Sequence, residues 1–406
     1  MTNPESATSP TTAAAPVNRW NGWDLPFFDA ERHAPLVERL QAWIEQDMRD
    51  EARIERLPLV AQCGHYLSQL AELGFLDLAV PDPADPSAPL DVRSICLTRE
   101  ALSYRSPLAD FVFSMQGIGT AAIALYGTPQ QQSQYLAACR AGRSVAAMAL
   151  TEPDGGSDVA AIRTRADRRG DGWVINGTKA WISNGGIADQ YIVVARTGEA
   201  EGARGLSAFL LDAKTPGLRA GPNLDIISPH PLSELIFEDV PVRADQLLGP
   251  AGQGFKVAMA TLDIFRASVG AAAVGLARRA IDETVARMKR RELFGRPMAD
   301  MDLVRTRVAD MVTDTETAAM AVYRAGWLKD VRRANVTREA SMAKLVGTES
   351  AQRVVDSAVQ LFGAAGVQTG GVIERLYRDV RPMRIYEGAS EVQRIIIGRR
   401  TFADAG

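Results

Sequence analysis

Residues 172–186 read GWVINGTKAWISNGG, and around them the chain changes from helical to β patterning. The stretch is rich in β-branched and aromatic side chains and contains Asn-Gly and Gly-Gly pairs, which are typical of strands joined by tight turns. Three runs of the same kind follow it, namely QYIVVARTG, LSAFLLDA and ELIFEDVPV. Together these runs predict an antiparallel β-domain over residues 144–250.

Helical patterns flank the β-rich part on both sides. Before it, Leu36, Leu40 and Met48 recur at the spacing of one helix face, and Thr128 with Gln131 predicts a capping box at the start of a helix. After it, the amphipathic stretch 255–291 predicts one long helix, and its small-residue centre VGAAAVGLA allows a neighbouring helix to approach closely. These patterns predict an all-α domain over residues 19–143 and a helical bundle over residues 251–406.

Composition narrows the class of protein. The chain has 406 residues, enough for two or three packed modules, and Lys+Arg total 46 against 49 for Asp+Glu. This balance gives no electrostatic reason to expect nucleic acid or an anionic membrane as a partner, and we identify no apolar run of the roughly 18 residues that a membrane helix needs. Residues 1–18 are poor in large apolar side chains, which predicts a disordered tail without a secretory or transit signal, so we expect a cytoplasmic protein.

The cysteines and histidines are few and scattered. Neither residue type forms a cluster with metal-ligand spacing, so we expect no metal site, no disulfide framework and no catalysis based on histidine. Buried thiols in a reducing compartment are the preferred interpretation of the cysteines. The residues concerned are Cys63, Cys96, Cys139, His33, His65 and His230.

Two stretches suggest a ligand. In MALTEPDGGSDVAAIRT, residues 148–164, Gly155 and Gly156 precede a short helix predicted to start at Ser157, and backbone N–H groups at such a turn can hold a phosphate. In KAWISNGG, residues 179–186, Trp181 and Ser183 lie on one strand face that suits a flat aromatic ligand. Taken singly, the first stretch is also compatible with an ordinary turn, and the second with a core tryptophan.

A third stretch, RIYEGASEVQR at residues 384–394, places an acid in an unusual position. Ser390 and Gln393 predict a capping box for a short helix ending at Gly398. Glu387 stands just outside that helix, in a tight turn between an aromatic residue and a glycine. It is either aimed at a ligand or a solvated loop acid paired with Arg384 or Arg394.

The motifs ALTEPDGGSD, GTKAWISNGG, LDIFR, RRELFG, QLFGAAG and IYEGASEVQR occur in the order and spacing of the acyl-CoA dehydrogenase family, which the chain resembles from about residue 30 onward. The resemblance implies an α+β, mainly α fold: an N-terminal helical domain, a small antiparallel β-barrel and a C-terminal four-helix bundle. It also implies a homotetramer or homodimer with FAD between the β-domain and the bundle, an acyl-CoA substrate, and an electron-transfer flavoprotein as electron acceptor.

The resemblance further implies the site residues. Those expected to bind FAD are Met148, Leu150, Thr151, Gly156, Ser157, Trp181, Ile182, Ser183, Arg291, Leu293, Phe294, Gln360, Gly363, Ala364, Ala389, Ser390 and Glu391. Among them, 291–294 and 360–364 are expected to serve a neighbouring subunit. The substrate is expected to contact Ser157, Asp263, Arg266, Tyr386 and Gly388.

Glu387 is the implied catalytic base. It would remove the α-proton of the acyl-CoA while flavin N5 takes the β-hydride, giving a trans-2-enoyl-CoA. Some members place the base on the long helix, at the position that Phe265 occupies here, and a phenylalanine cannot take a proton. Departures from the commonest family residues alter polar FAD contacts worth about 1 kcal/mol each, so FAD would bind more weakly. They lie at Leu293, Asp302, Ala364 and Ala389, and Met148, at a position where an aromatic is common, would slightly alter the flavin surroundings.

Two other functions stay open. A flavin oxidase or an oxygen-using hydroxylase could share this fold, although such relatives often lose the base or the CoA contacts. A non-catalytic scaffold or a nucleic-acid binder has little support from the balanced charge. The acyl group, whether short, medium, branched or cyclic, is not determined by the sequence.

Overall fold

The computed structural model describes residues 25–404, so the predicted disordered tail 1–18 lies outside the described residues. Five helices form the N-terminal part, and a capping box begins the last of them as predicted. The Thr128 N–H donates to Gln131 Oε1 over 2.8 Å, and the Gln131 N–H donates to Thr128 Oγ1 over 3.2 Å. The helices are α1 (Ala30–Ile54), α2 (Leu59–Glu72), α3 (Val92–Arg105), α4 (Pro107–Tyr126) and α5 (Pro129–Arg140).

A single eight-stranded sheet follows, in the order β6-β7-β3-β2-β4-β5-β8 with β1 also paired to β4. Its strands are β1 (Ala146–Ala149), β2 (Arg165–Arg169), β3 (Gly172–Ser183), β4 (Gln190–Arg196), β5 (Leu206–Asp212), β6 (Leu218–Asn223), β7 (Leu232–Val242) and β8 (Leu247–Leu248). The prediction of a wholly antiparallel domain is wrong at two places, because β1 and the start of β2 run parallel to β4. Intervening strands and loops supply the long return connection that parallel pairing requires.

The C-terminal part is helical again. It comprises α6 (Gly254–Arg290), a hairpin of β9 (Glu292–Leu293) and β10 (Arg296–Pro297), α7 (Asp302–Asp330), α8 (Thr337–Phe362), α9 (Val372–Val380) and α10 (Ser390–Asp404). The α10 helix does not end at Gly398 as predicted but continues to Asp404, since this glycine keeps a helical φ. The predicted close approach on α6 is present: a Cβ on Gly347 of α8 would lie 2.7 Å from Gly270 Cα.

The three parts pack against one another. One hydrophobic cluster contains residues of α1 to α4 together with residues of α6, α7 and α8. The sheet packs on α4, where a Cβ on Gly119 would lie 2.5 Å from Ala146 Cβ. The predicted fold class is therefore confirmed, while the domain boundaries at 143/144 and 250/251 stay a proposal.

Two helices, α4 and α6, are long and apolar enough by length and composition to cross a membrane. Most of their apolar windows, 78% and 72%, is buried inside the fold, as in the core helices of folded proteins. The expectation that no stretch would reach this length was therefore wrong. Polar residues such as Asp110 in α4 and Asp263 in α6 interrupt both apolar stretches, so neither forms one uninterrupted apolar run in the sequence.

The three cysteines are free and buried, as predicted. Burial raises the pKa of the Cys63 and Cys139 thiols to about 12, so both stay protonated at neutral pH.

Candidate active site

Glu387 lies in a tight turn between a 3₁₀ turn (Arg381–Arg384) and α10. Its backbone is left-handed, with φ +52°, and that of Gly388 has φ +88°. The side chain of Gln393 supports the turn by donating to the carbonyl oxygens of Glu387 over 3.3 Å and Gly388 over 2.8 Å. The positive φ at residue 388 favours glycine, and a Cβ there would lie 2.6 Å from Gln393 Nε2 and displace the amide that supports the turn.

The predicted capping box at Ser390 is wrong. The Ser390 hydroxyl donates to Glu349 Oε1 of α8 over 2.6 Å, and the Gln393 N–H donates to the Ala389 carbonyl instead. Glu349 also binds Arg384, with 3.0 Å between Arg384 Nε and Glu349 Oε1. The Ser390 side chain is therefore directed towards a distant helix, and α10 already begins at Ser390 itself.

The Glu387 carboxyl is enclosed although part of the residue is accessible. Its Oε2 atom is buried and has no hydrogen-bond partner among residues 25–404. Burial raises the pKa of this carboxyl, with Arg99, Lys344 and Arg266 opposing the rise and Asp110 adding to it. A carboxylate with a raised pKa and a free oxygen can accept a proton from a ligand.

The alternative interpretation of Glu387 as a surface ion-pair partner is wrong. Arg384 pairs with Glu349 at 3.0 Å, and Arg394 pairs with Glu391 at 3.8 Å. Both candidate arginines are thus bound to other acids, and Glu387 faces inward.

Arg266 and Asp263, predicted to bind substrate, form an ion pair one turn apart on α6. Arg266 Nη1 donates to Asp263 Oδ1 over 2.9 Å. Arg266 Nε is buried and has no partner in the described part of the chain, and this guanidinium acts electrostatically on Glu387. An unsatisfied buried donor and an unsatisfied buried acceptor in one neighbourhood are what a site for a polar ligand requires.

On the sheet side, the segment Met148–Thr151 lies against β3. The Ala180 N–H donates to the Thr151 carbonyl over 2.9 Å, and Lys179 Nζ donates to the Leu150 carbonyl over 3.0 Å. Lys179 also binds Glu152 Oε1 over 2.9 Å, and this carboxylate accepts backbone N–H groups of residues 163 and 164. The Lys179–Glu152 pair therefore fixes the glycine-containing loop relative to the strand that carries Trp181. The sequence did not suggest this pair.

Trp181 presents its ring outward because β3 is irregular at that point. The register with β7 shifts between Lys179 and Ile182, and Trp181 has φ +58°. The indole is 56% exposed whereas Ile182 is buried. Ser157 and Gly156 are exposed nearby in sequence, and the predicted short helix begins two residues late, as a 3₁₀ turn at Val159–Ala161. Because Asp158 rather than Ser157 precedes that turn, Ser157 stays in the loop.

The remaining predicted FAD residues from α6 to α8 form a separate group. Arg291 Nη1 donates to the Phe362 carbonyl over 3.3 Å, which joins the 291–294 hairpin to the segment Gln360–Ala364 at the end of α8. Phe294 is 96% exposed with φ +52°. Lys344, which contacts the Glu387 turn, lies 18 residues before Phe362 on α8. This separation is about 27 Å along a helix axis. The chain therefore does not bring this group to its own Glu387.

Sequence reasoning missed a buried ion pair next to Glu387. Arg99 of α3 binds Asp110 of α4 through two contacts of 2.8 and 2.9 Å, and its Nη1 donates to Ser268 Oγ of α6 over 3.0 Å. Burial alone would lower the pKa of Arg99, but Asp110 offsets this and raises it, so Arg99 stays charged. Three different helices supply the cluster, so no local motif announces it.

Comparison with known proteins agrees with this arrangement. Three family profiles match in order: acyl-CoA dehydrogenase N-terminal domain (31–143), middle domain (147–240) and C-terminal domain (252–402). The short-chain specific acyl-CoA dehydrogenase of Mus musculus is 35% identical over 364 residues, covering 87% of this chain and 88% of the relative.

Solved structures give the same result. Butyryl-CoA dehydrogenase from Megasphaera elsdenii superposes with a TM-score of 0.84 at 32% identity, covering 91% of this chain and 97% of its own. A glutaryl-CoA dehydrogenase from Mycobacterium smegmatis in complex with FADH2 superposes with a TM-score of 0.83 at 26% identity, covering 94% and 96%. The exposed Trp181 ring and the glycine-containing loop beside it fit a flat, phosphate-bearing cofactor of this kind. The chain therefore belongs to the acyl-CoA dehydrogenase family and is an FAD-binding oxidoreductase.

Proposed function

We propose that this protein oxidises a short-chain acyl-CoA thioester to the trans-2-enoyl-CoA, with Glu387 as the base that removes the α-proton. The observation that carries the proposal is the Glu387 carboxyl itself, inward-facing in a left-handed turn with an unpaired buried oxygen. When bound, FAD supplies the ring that accepts hydride from the β-carbon.

The surroundings of Glu387 suit this proton transfer. The α-proton of a thioester is weakly acidic, so a base with a raised pKa reduces the unfavourable difference between donor and acceptor. Burial raises the Glu387 pKa in this way, and the three nearby cations keep the rise within bounds. Arg266 Nε is a free donor in the same region and would bind a polar group of the CoA thioester.

We assign FAD to the sheet side of the site, against Trp181, Ser183 and the loop from Thr151 to Ser157. Ala389 and Glu391 follow the base and would approach the cofactor, whereas the Ser390 hydroxyl is bonded to Glu349, so Ser390 would contribute backbone only. The 291–294 and 360–364 segments would complete the FAD site of a neighbouring subunit in a homodimer or homotetramer. We further propose an electron-transfer flavoprotein as acceptor and a cytoplasmic location, which the three free cysteines favour.

Two features support a short acyl group. The similar proteins named above include a short-chain specific enzyme and a butyryl-CoA dehydrogenase. Within the chain, Phe265 is fully buried on α6 and a Cβ on Gly117 would lie 2.3 Å from its ring, so no space is left between α4 and α6 there. The Arg99–Asp110 pair closes the same region with charged groups, which disfavours a long alkyl chain.

The test is reduction of the bound flavin by acyl-CoA thioesters of increasing length, read by bleaching of the oxidised flavin band. We expect butyryl-CoA to reduce it fastest, and Glu387→Gln to lower that rate by about a thousandfold or more while FAD stays bound. Glu45→Gln, at an exposed acid of α1, is the matched control. A Glu387→Gln enzyme reduced at the wild-type rate would overturn the proposal, and rapid reoxidation of reduced enzyme by air would indicate an oxidase instead.

A further inference from the structure

Lys344 lies in the N-terminal third of α8 and is fully buried. Its Nζ donates two hydrogen bonds, to the carbonyl oxygen of Tyr386 over 2.7 Å and to that of Gly388 over 2.6 Å. These are the carbonyls on either side of Glu387. A charged side chain from the bundle thus binds the backbone directly before and after the proposed base.

This arrangement differs from that of the other fully buried lysine, Lys179, which binds Glu152 directly. Burial lowers the pKa of both ammonium groups to about 8, because a charge out of water is unfavourable. Lys344 binds two neutral carbonyls, and the negative charge that most favours its charged form is the Glu387 carboxylate. The ammonium and the base therefore support each other's ionisation.

The contact also fixes the backbone of the turn. A left-handed φ at a glutamate is unfavourable by roughly 1 kcal/mol or more, and it persists only where the surroundings hold it. Lys344 holds the carbonyls of residues 386 and 388, and Gln393 holds those of 387 and 388. Gln393 belongs to α10, which directly follows the turn, whereas Lys344 comes from α8 and carries a charge.

Other charged groups face the same region. Arg99 from α3 and Arg266 from α6 act on Glu387 with the same sign as Lys344, and Asp110 from α4 acts against them. Lys344 in turn is affected by Arg266, Glu349 and Glu391 besides Glu387. Of the three cations near Glu387, Arg99 is bound to Asp110 and Arg266 to Asp263, so Lys344 alone has no ion pair with an acid among residues 25–404.

We propose that Lys344 is a positioning residue for the base: it holds the Glu387 turn through the two flanking carbonyls, and its positive charge favours the ionised form of the Glu387 carboxyl. The inference rests on the proposed role of Glu387. The two are separable, because Lys344 controls the pH at which Glu387 works rather than whether it works.

The test compares neutral and charged replacements. Flavin reduction by butyryl-CoA is measured in single turnovers of the FAD-loaded enzyme across pH for the wild type, Lys344→Met, Lys344→Gln and Lys344→Arg. Loss of the charge raises the pKa of Glu387, so we expect the acid limb to move up by about one pH unit in the Met and Gln variants. Their rates then fall about tenfold at pH values below the wild-type midpoint and recover as the pH rises. Arginine keeps the charge and therefore keeps the wild-type midpoint.

A second readout does not depend on turnover. The infrared carbonyl band of protonated Glu387 is identified by its absence in Glu387→Gln and is titrated in the substrate-free protein. In Lys344→Met this band should disappear at a higher pH than in the wild type. The matched control is Lys214→Met, which removes an exposed lysine after β5 and should leave the midpoint unchanged.

The outcomes distinguish the two proposals. A uniform fall in rate with an unchanged midpoint in both neutral variants would show that Lys344 is only structural and would overturn this inference. Should Lys344→Met not fold, Lys344→Gln still decides the question, since it can donate a hydrogen bond without a charge. Undiminished reduction in Glu387→Gln would instead overturn the proposed function.

Discussion

At the scale of single residues, strained backbone coincides with the predicted site. Six non-glycine residues between 25 and 404 have positive φ, namely Trp181, Asn184, Asp239, Phe294, Arg333 and Glu387. Three of them, Trp181, Phe294 and Glu387, were expected from the sequence to contact cofactor or substrate. Such conformations persist where the fold over-determines them, which is common at functional sites.

The Glu387 carboxyl should lower stability, because the fold raises its pKa above that of the unfolded chain. A carboxyl with a raised native pKa is favourable when protonated, and stability is lost as the pH rises through its unfolded pKa towards the native one. We therefore expect Glu387→Gln to unfold at a higher temperature than the wild type at neutral pH, by roughly 1 kcal/mol in free energy.

The pH dependence checks the cause. Below about pH 4 the carboxyl is protonated in the unfolded chain as well, so the wild type and Glu387→Gln should unfold at the same temperature. Differential scanning fluorimetry of the cofactor-free proteins across pH measures this. A Glu387→Gln protein that is less stable than the wild type at neutral pH would contradict the inferred burial of a charged base.

At the scale of elements, two identical local patterns had opposite outcomes. Thr128 with Gln131 and Ser390 with Gln393 both match a capping box. The first forms as predicted, with both reciprocal hydrogen bonds present. The second does not form: α10 already begins at Ser390, whose hydroxyl donates to Glu349 of α8, and the Gln393 side chain donates to the carbonyls of Glu387 and Gly388. Tertiary partners thus decide where these side chains point, and the local pattern does not encode them.

The contact between α6 and α8 is the element on which the site depends, since α6 carries Arg266 and α8 carries Lys344. A Cβ on Gly347 would lie 2.7 Å from Gly270 Cα and 2.9 Å from its carbonyl oxygen. Backbone cannot yield as a flexible side chain would, so we expect Gly347→Ala to destabilise the protein by about 1–3 kcal/mol.

Gly398→Ala is the control for that substitution. Gly398 is also inside a helix, and a Cβ there would have no neighbouring atom within 4 Å. Alanine should therefore stabilise α10 by about 0.5–1 kcal/mol. Urea unfolding of the two variants beside the wild type measures both effects. The two changes in the free energy of unfolding need not be equal in size. If both variants lost stability, the helix–helix contact would not be the cause of the loss in Gly347→Ala.

At the scale of the whole molecule, the sequence predicted the order of parts better than the contacts between them. Helix and strand patterns are local, so the helical, β and helical parts and the long α6 could be predicted. The Arg99–Ser268 hydrogen bond joins residues 169 positions apart, and the Lys344–Tyr386 contact joins residues 42 positions apart, so no periodicity encodes them. The parallel β1–β4 pair was missed for the same reason.

Arg291 is the residue through which the assembly of subunits can be tested. Arg291 lies at the end of the bundle that is remote from the Glu387 turn of the same chain, and Phe294 beside it is 96% exposed. If Arg291 completes the FAD site of a neighbouring subunit, then Arg291→Ala and Glu387→Gln damage different sites when they are in different chains. We expect each variant alone to have little acyl-CoA-dependent flavin reduction.

Hybrids of the two variants should then regain activity. In an oligomer co-expressed from equal amounts of both chains, about a quarter of the sites combine an intact Glu387 with an intact Arg291 from the neighbour. Flavin reduction of the purified, differently tagged hybrid measures this fraction. A hybrid of Glu387→Gln chains with chains carrying both substitutions contains no intact site and should stay inactive. Absence of recovery in the first hybrid would place Arg291 in the site of its own chain, because in that case every site carries one of the two substitutions.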